Sequence, residues 1–227
     1  MATRERHFST ITAAANSLAE VLASTMREAI SARGHALLAV SGGRTPQYVF
    51  GRLRQLDLDW ERVTLTLTDE RWVSADHAAS NEGMVRSHLL CGKAMAAKFI
   101  SFYGGENSPE EGQAACENRL RSMLLPFDAV YLGTGSDGHV ASLFPGDPAL
   151  EVSSSLCVAI PSTESRLARM SLTSSSILNT RKTFLLFSGP DKHAIYNEAQ
   201  KGGSYKNIPL RIILSQTHTP LYVFSAP

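Results

Sequence analysis

Ala14, Leu18, Val21, Leu22, Met26, Ala29 and Ile30 recur at three- and four-residue spacing, with Thr25 on the same stripe. That period predicts an amphipathic helix, and Gly34 supplies its stop. His35 to Val40 is a short apolar run, expected to be a buried strand. Ser41-Gly42-Gly43-Arg44-Thr45-Pro46 follows as a loop. Thr45 is expected to cap the next helix with Pro46 at its first position, and that helix should run towards Gln55. Val63, Leu65 and Leu67 alternate with threonines, a strand pattern, ending at Asp69-Glu70-Arg71. A helix is predicted over Ser80 to Leu90 and a strand over Lys98 to Tyr103. Ser108-Pro109-Glu110-Glu111 has the form of a capping box, opening a helix that should reach about Leu124. Ala129 to Leu132 is a second buried strand. Further strands are predicted at Leu156 to Ile160, Met170 to Thr173 and Thr183 to Phe187. Ser188-Gly189-Pro190 breaks the chain before a helix over Asp191 to Gln200. Pro209 to Leu214 and Leu221 to Phe224 are short pieces whose pattern does not separate strand from helix.

Strands alternating with helices imply an α/β fold, a largely parallel, Rossmann-like sheet with helices on both faces. No internal repeat, low-complexity tract or linker divides the 227 residues, so the expectation is a single domain spanning 1–227. Hydrophobic residues at 43% and charged residues at 19% are a composition that builds a core rather than a disordered chain. A formal net charge of +1 provides no broad field for nucleic acid or a membrane surface. Any bound anion must be caught by a local set of donors. Cys91, Cys116 and Cys157 are odd in number and far apart, with no metal-ligand spacing, which points away from a disulfide framework or structural zinc. A reducing, cytoplasmic setting is expected. The polar N-terminus carries no apolar leader, and no apolar run approaches the roughly 20 residues that span a bilayer.

Chemistry concentrates in Gly133-Thr134-Gly135-Ser136-Asp137-Gly138-His139, directly after the strand at 129–132. Gly133 and Gly135 let the backbone turn tightly and approach a ligand. His139 then stands at a strand end beside one carboxylate, Asp137. An imidazole suits general-base work near neutral pH. The loop at 41–46 joins a strand to a helix, where free N–H groups and the helix dipole favour an anion. Gly42 and Gly43 admit a phosphate to the backbone, Arg44 adds a charged fork and Thr45 a hydroxyl. Neither the P-loop nor the dinucleotide pattern is present. Asp69 and Arg71 end the best strand, on the side of the sheet where open α/β folds bind ligands. Lys192 lies in the first turn of a predicted helix, opposing its dipole unless an anion is bound. Arg169, entering a strand, is a second candidate phosphate ligand. Asn81 is read simply as opening a helix. No GxSxG elbow and no HExxH occur, so direct attack by water is favoured over a serine nucleophile or a metal.

Taken in order, VSGGRTP (40–46), TDERWV (68–73), SNEGM (80–84), DAVYLGTGSDGHVASLFPG (128–146), RMSLT (169–173) and FSGPDKHAIYNEA (187–199) resemble the 6-phosphogluconolactonase family. From first to last they span about two-thirds of the chain, and the glycine–aspartate–histidine stretch is the most specific. The resemblance implies hydrolysis of 6-phospho-D-glucono-1,5-lactone to 6-phosphogluconate in the oxidative pentose phosphate pathway, with no metal or organic cofactor. The expected partner is that phosphorylated sugar lactone, with no nucleic acid and no membrane; oligomeric state is not readable. The related glucosamine-6-phosphate deaminases typically read DGHxAFNEPG, with a functional glutamate before the proline. Phe144 stands in that place here, and a phenyl ring cannot supply carboxylate chemistry, which argues for the lactonase over a deaminase or isomerase. A non-catalytic sugar-phosphate sensor is disfavoured by intact Asp137 and His139. Ser74 stands where lactonases commonly have proline. The expected roles follow: His139 as base, Asp137 or Asp69 orienting the imidazole or substrate hydroxyls, and Arg71 facing the oxyanion or the phosphate. Gly42, Gly43, Arg44, Thr45, Arg169 and Lys192 are expected around the phosphate.

Overall fold

The computed structural model describes residues 3–227. Its first helix, α1 (Ile11–Arg33), buries Ala14, Leu18, Leu22, Met26 and Ala29 along one stripe, is capped by the Thr10 hydroxyl, and ends at Gly34 with φ 81. The chain then enters β2 (Ala36–Val40), buried along its whole length. Strand β1 (Arg4–His7) precedes α1 and has four exposed side chains. No hydrophobic pattern announces it: it is an edge strand held by its backbone ladder to β10 (Leu221–Ala226) and by His7 Nδ1 at 2.7 Å from Ser225 Oγ.

Helix α2 (Arg44–Leu53) begins one residue before the predicted cap. Gly43, at φ 109, is its N-cap, and no side chain makes a capping bond. Thr45 therefore lies inside the helix, because the glycine turns the chain earlier than a threonine could. Strand β3 (Val63–Leu67) forms as expected. The next three residues do not simply end it. Thr68 is a joint, its N–H donating to Val40 O while its own carbonyl accepts from Leu172 N. Past it, β4 (Asp69–Arg71) leaves the main sheet and pairs antiparallel with β8 (Arg169–Leu172), which pairs antiparallel with β7 (Cys157–Ile160). The expected single sheet is thus two: β4, β8 and β7 form a small antiparallel one. Long-range pairing decides this, and a three-residue strand carries no periodicity of its own.

Helices α3 (Asn81–His88) and α4 (Pro109–Arg121) start at Ser80 and Ser108, whose hydroxyls accept from Gly83 N and Glu111 N. β5 (Lys98–Ile100) and β6 (Ala129–Leu132) flank them. A short helix, α5 (Ser174–Leu178), was not anticipated. β9 (Thr183–Ser188) leads into α6 (Pro190–Gln200), and α7 (Arg211–Leu214) and β10 resolve the ambiguous C-terminal pieces as helix and strand.

The main sheet runs β1-β10-β9-β6-β2-β3-β5, every neighbouring pair parallel. From β2 the chain proceeds to β3 and β5 on one side, then returns to β6, β9 and β10 on the other. The order reverses between β2 and β6. All carboxyl ends lie along one edge, so the loops after β2 and β6 diverge there and leave a crevice, the place where such sheets bind ligands.

Candidate active site

The crevice is real and of modest size, about 230 Å³. It is lined by Ser41 to Pro46 after β2, by Tyr131, Gly133, Thr134, Gly135, His139 and Ala141 on and after β6, and by Leu186 and Lys192 from β9 and α6. One cleft therefore brings together the predicted base, the glycine-rich cradle Gly42, Gly43, Arg44 and Thr45, and the distant Lys192.

His139 is aimed by Asp137. Nδ1 lies 2.6 Å from Asp137 Oδ1, and the His139 backbone N–H donates to the same oxygen at 3.1 Å. The hydrogen bond from His139 holds the Asp137 carboxyl below its ordinary range despite partial burial. A carboxylate only accepts, so the bond requires the proton on Nδ1 and leaves the Nε2 lone pair free. The loop is shaped for this pair. A Cβ on Gly135 would stand 2.3 Å from both Nδ1 and Cε1 of His139. Support comes from the C-terminal third: Leu210 N–H donates to Gly138 O, and Ile195 and Ile208 pack against Gly138.

In the same cleft, the side chains of Arg44 and Lys192 have no hydrogen-bond or ion-pair partner among the described residues. Burial, and then the neighbouring Arg44 charge, lower the Lys192 pKa. Two cations facing one cleft repel each other in the free protein, and an anion between them removes that cost. No group of three or more His, Cys, Asp or Glu side chains among the described residues is arranged to hold a metal ion.

The remaining predicted residues gather elsewhere. Asp69 is buried and does not reach the imidazole; its Oδ2 accepts from the Ser142 hydroxyl at 2.6 Å and lies 3.6 Å from Arg169 Nη1. Arg169, expected at the phosphate, is tied instead to Asp69 and to Ser142 Oγ (3.2 Å) and is not part of the cleft lining. Arg71 is opposite Arg169 in the β4–β8 pairing and donates to Ala79 O at 2.8 Å. The antiparallel sheet explains these placements, since it draws residues 69–71 and 169–171 together behind the turn that follows His139.

Several residues that matter here went unmarked by sequence reasoning. Asn81 does more than open a helix: buried, it donates from Nδ2 to Asp69 O at 2.8 Å and fills the space a side chain on Gly42 would need. Glu70 is fully buried and accepts from Arg71 N, Asn81 N, Glu82 N and the Ser80 hydroxyl. Ser142, which no motif marks as an activated nucleophile, and Arg166 lie in segments with no periodicity to show their partners. A carboxylate after a strand and before a serine-capped helix was the one available signal, and it applied only to Glu70.

A family model described as glucosamine-6-phosphate isomerases/6-phosphogluconolactonase matches residues 9–222. The chain is 37% identical over 205 residues to a 6-phosphogluconolactonase of Pseudomonas aeruginosa, covering 88% of this chain and 86% of that one. It is 38% identical over 220 residues to one from Neisseria meningitidis serogroup A, covering 94% of each. The fold superposes on the crystal structure of a 6-phosphogluconolactonase from Shewanella baltica with a TM-score of 0.96 at 40% identity, covering 100% of this chain and 98% of that one.

Proposed function

The chain belongs to the family of glucosamine-6-phosphate isomerases and 6-phosphogluconolactonases, and from that membership we infer that it is a lactone-hydrolysing enzyme, one that opens 6-phospho-D-glucono-1,5-lactone to 6-phospho-D-gluconate in the pentose phosphate pathway. The observation that carries the reading is the shared cleft: a carboxylate-aimed imidazole and an unpaired pair of cationic side chains line the same cavity.

In this mechanism the 6-phosphate sits against Gly42, Gly43 and the first turn of α2, with Arg44 and Lys192 closing on it and the Thr45 hydroxyl within the same lining. Gly133 and Gly135 let the sugar ring lie close to the β6 loop. Holding the phosphate at one end orients the lactone carbonyl at the other, so remote binding energy serves the reacting centre. His139 Nε2 takes a proton from water as the water oxygen bonds to C1. When the C1–ring oxygen bond breaks, the imidazolium gives that proton to the departing oxygen, which becomes the C5 hydroxyl, and the new acid ionises. Asp137 fixes the tautomer and stabilises the transient imidazolium. Arg169 braces the Asp69–Ser142 anchor, and Arg71, its neighbour in the β4–β8 ladder, adds positive charge beside it. No metal or organic cofactor enters. The three cysteines form no disulfide, and among the described residues no helix is long and apolar enough to cross a membrane; a cytoplasmic setting suits both this and the substrate.

The test is NMR or pH-stat monitoring of freshly made phosphogluconolactone, with spontaneous opening subtracted. Acceleration is expected, and His139→Ala should remove it by about 100-fold or more while product still binds. No acceleration, or release of ammonia from glucosamine 6-phosphate, would sink the reading.

A further inference from the structure

Directly after His139 the chain makes a turn that the mechanism above does not use. Val140 and Leu143 bridge antiparallel, with Leu143 N–H donating to Val140 O at 3.0 Å, and Ala141 at the corner holds φ 51. A non-glycine residue in the left-handed region persists where its surroundings impose it. Here the neighbour Ser142 is fully buried and pinned three ways. Its N–H donates to Ser171 Oγ at 3.2 Å, its hydroxyl donates to Asp69 Oδ2 at 2.6 Å, and its own Oγ accepts from Arg169 Nη1 at 3.2 Å.

The turn swings Phe144 back onto the imidazole. The two ring centroids are 4.6 Å apart, with planes inclined by 43°. Against the same phenyl ring lies the Arg166 guanidinium, its Cζ 4.0 Å from the centroid. Arg166 is itself held, by Asp147 Oδ2 at 3.2 Å from Nη2 and by a reciprocal backbone pair with Thr163.

We propose that Phe144, backed by Arg166, is a positioning residue for His139, fixing the plane of the imidazole so that Nε2 keeps its aim into the cleft. The inference rests on His139 being the base. The Asp137 bond secures one ring atom, Nδ1, and leaves the ring free to pivot about that contact. Such a pivot carries Nε2 through an arc. A wall against the ring removes the freedom, and a phenyl ring does so without a donor or acceptor that would compete with Asp137 or with water. The guanidinium is attracted to the phenyl face, and Asp147 balances its charge, so the clamp adds no free cation beside the base. Asp69 enters indirectly: through Ser142 it holds the turn that presents Phe144.

The experiment compares Phe144→Leu, Phe144→Tyr and Arg166→Lys in the full-length enzyme on the lactone, with kcat, KM and thermal midpoint measured for each. Phe144→Leu should lower kcat about 10- to 100-fold, because a small misplacement of a catalytic group is that costly. KM, set by the phosphate grip, should stay within about twofold. Phe144→Tyr keeps the flat wall and should retain kcat within about threefold. Arg166→Lys keeps charge and loses the planar stack, so an intermediate fall in kcat is expected. A purely structural role would lower the folded fraction and leave kcat per folded molecule and the Tyr rescue unexplained. Phe144→Leu with kcat per folded molecule near the parent value overturns the proposal. If that variant does not fold, an unaltered kcat in Arg166→Lys overturns it instead. His139→Ala separates the two levels: if it keeps turnover the base assignment fails, whereas an inactive His139→Ala beside an unimpaired Phe144→Leu removes only the positioning role.

Discussion

A methyl group on Gly135 would stand 2.6 Å from Asp137 Oδ1 as well as 2.3 Å from the imidazole, so the residue that must yield is one of the dyad. Gly135→Ala is expected to lower kcat by about 100-fold with little change in melting temperature. Parent-like turnover in that variant would mean the dyad geometry is not the working one. Asp137 also has a pH signature. Its folded pKa is depressed below the unfolded value, with the His139 hydrogen bond as the largest cause. Its contribution to stability is therefore present above the unfolded carboxylate range and is lost as pH falls through the depressed folded value. Melting curves of the parent and Asp137→Asn should differ by a constant amount above about pH 5 and converge on acidification. In the same cleft, Lys192→Met should weaken 6-phosphogluconate binding by about 10- to 100-fold, the worth of a charged hydrogen bond. Unphosphorylated gluconate should bind equally to both proteins; equal loss for the two ligands in calorimetry would remove Lys192 from the phosphate site.

At the level of elements, β4 and the start of α3 behave as one unit joined by Glu70. Burial pushes this carboxyl up to about 7, against the pull of three backbone N–H groups and the Ser80 hydroxyl. The folded pKa lies above the unfolded one, so the group's contribution is complete below about 4.5 and is lost as pH rises through about 7. Measured by denaturant titration, the parent should lose stability relative to Glu70→Gln across that window, by an amount on the order of 3 kcal/mol. A flat difference would show that the donors, not burial, set the carboxyl's state. The same unit supports the glycine-rich loop after β2. A Cβ on Gly42 would lie 1.9 Å from Asn81 Oδ1, forcing out a buried carboxamide that donates to Asp69 O. Gly42→Ala should destabilise by about 1–3 kcal/mol and raise KM, and adding Asn81→Ala should recover part of the stability by making room. No recovery in the double variant would place the strain elsewhere.

Across the whole molecule, both sheets share one contiguous core, which contains Trp60 ahead of β3 and Trp72 beside the small sheet. Unfolding followed by tryptophan fluorescence and by circular dichroism should coincide in a single transition; two separated midpoints would divide the chain into two folding units. The residue pattern by itself specified much of this architecture. Apolar runs and alternation marked β2, β3, β6 and β9, Ser80, Ser108 and Gly34 marked helix ends, and glycine-rich loops at two strand ends singled out residues 42–45 and 137–139. These signals are local, because burial of a strand or a helix face repeats along the chain and a cap acts within one turn. Other features had no local trace. The exposed side chains of β1 report nothing of its backbone ladder, and the three residues of β4 cannot show that Asp69 will meet Ser142 rather than His139. Nor can a linear reading show that the glycine-rich loop after β2 and His139 after β6 share a cleft, or that Arg166 backs Phe144. Those meetings depend on strand order and on pairing between distant segments, which only the closed fold decides.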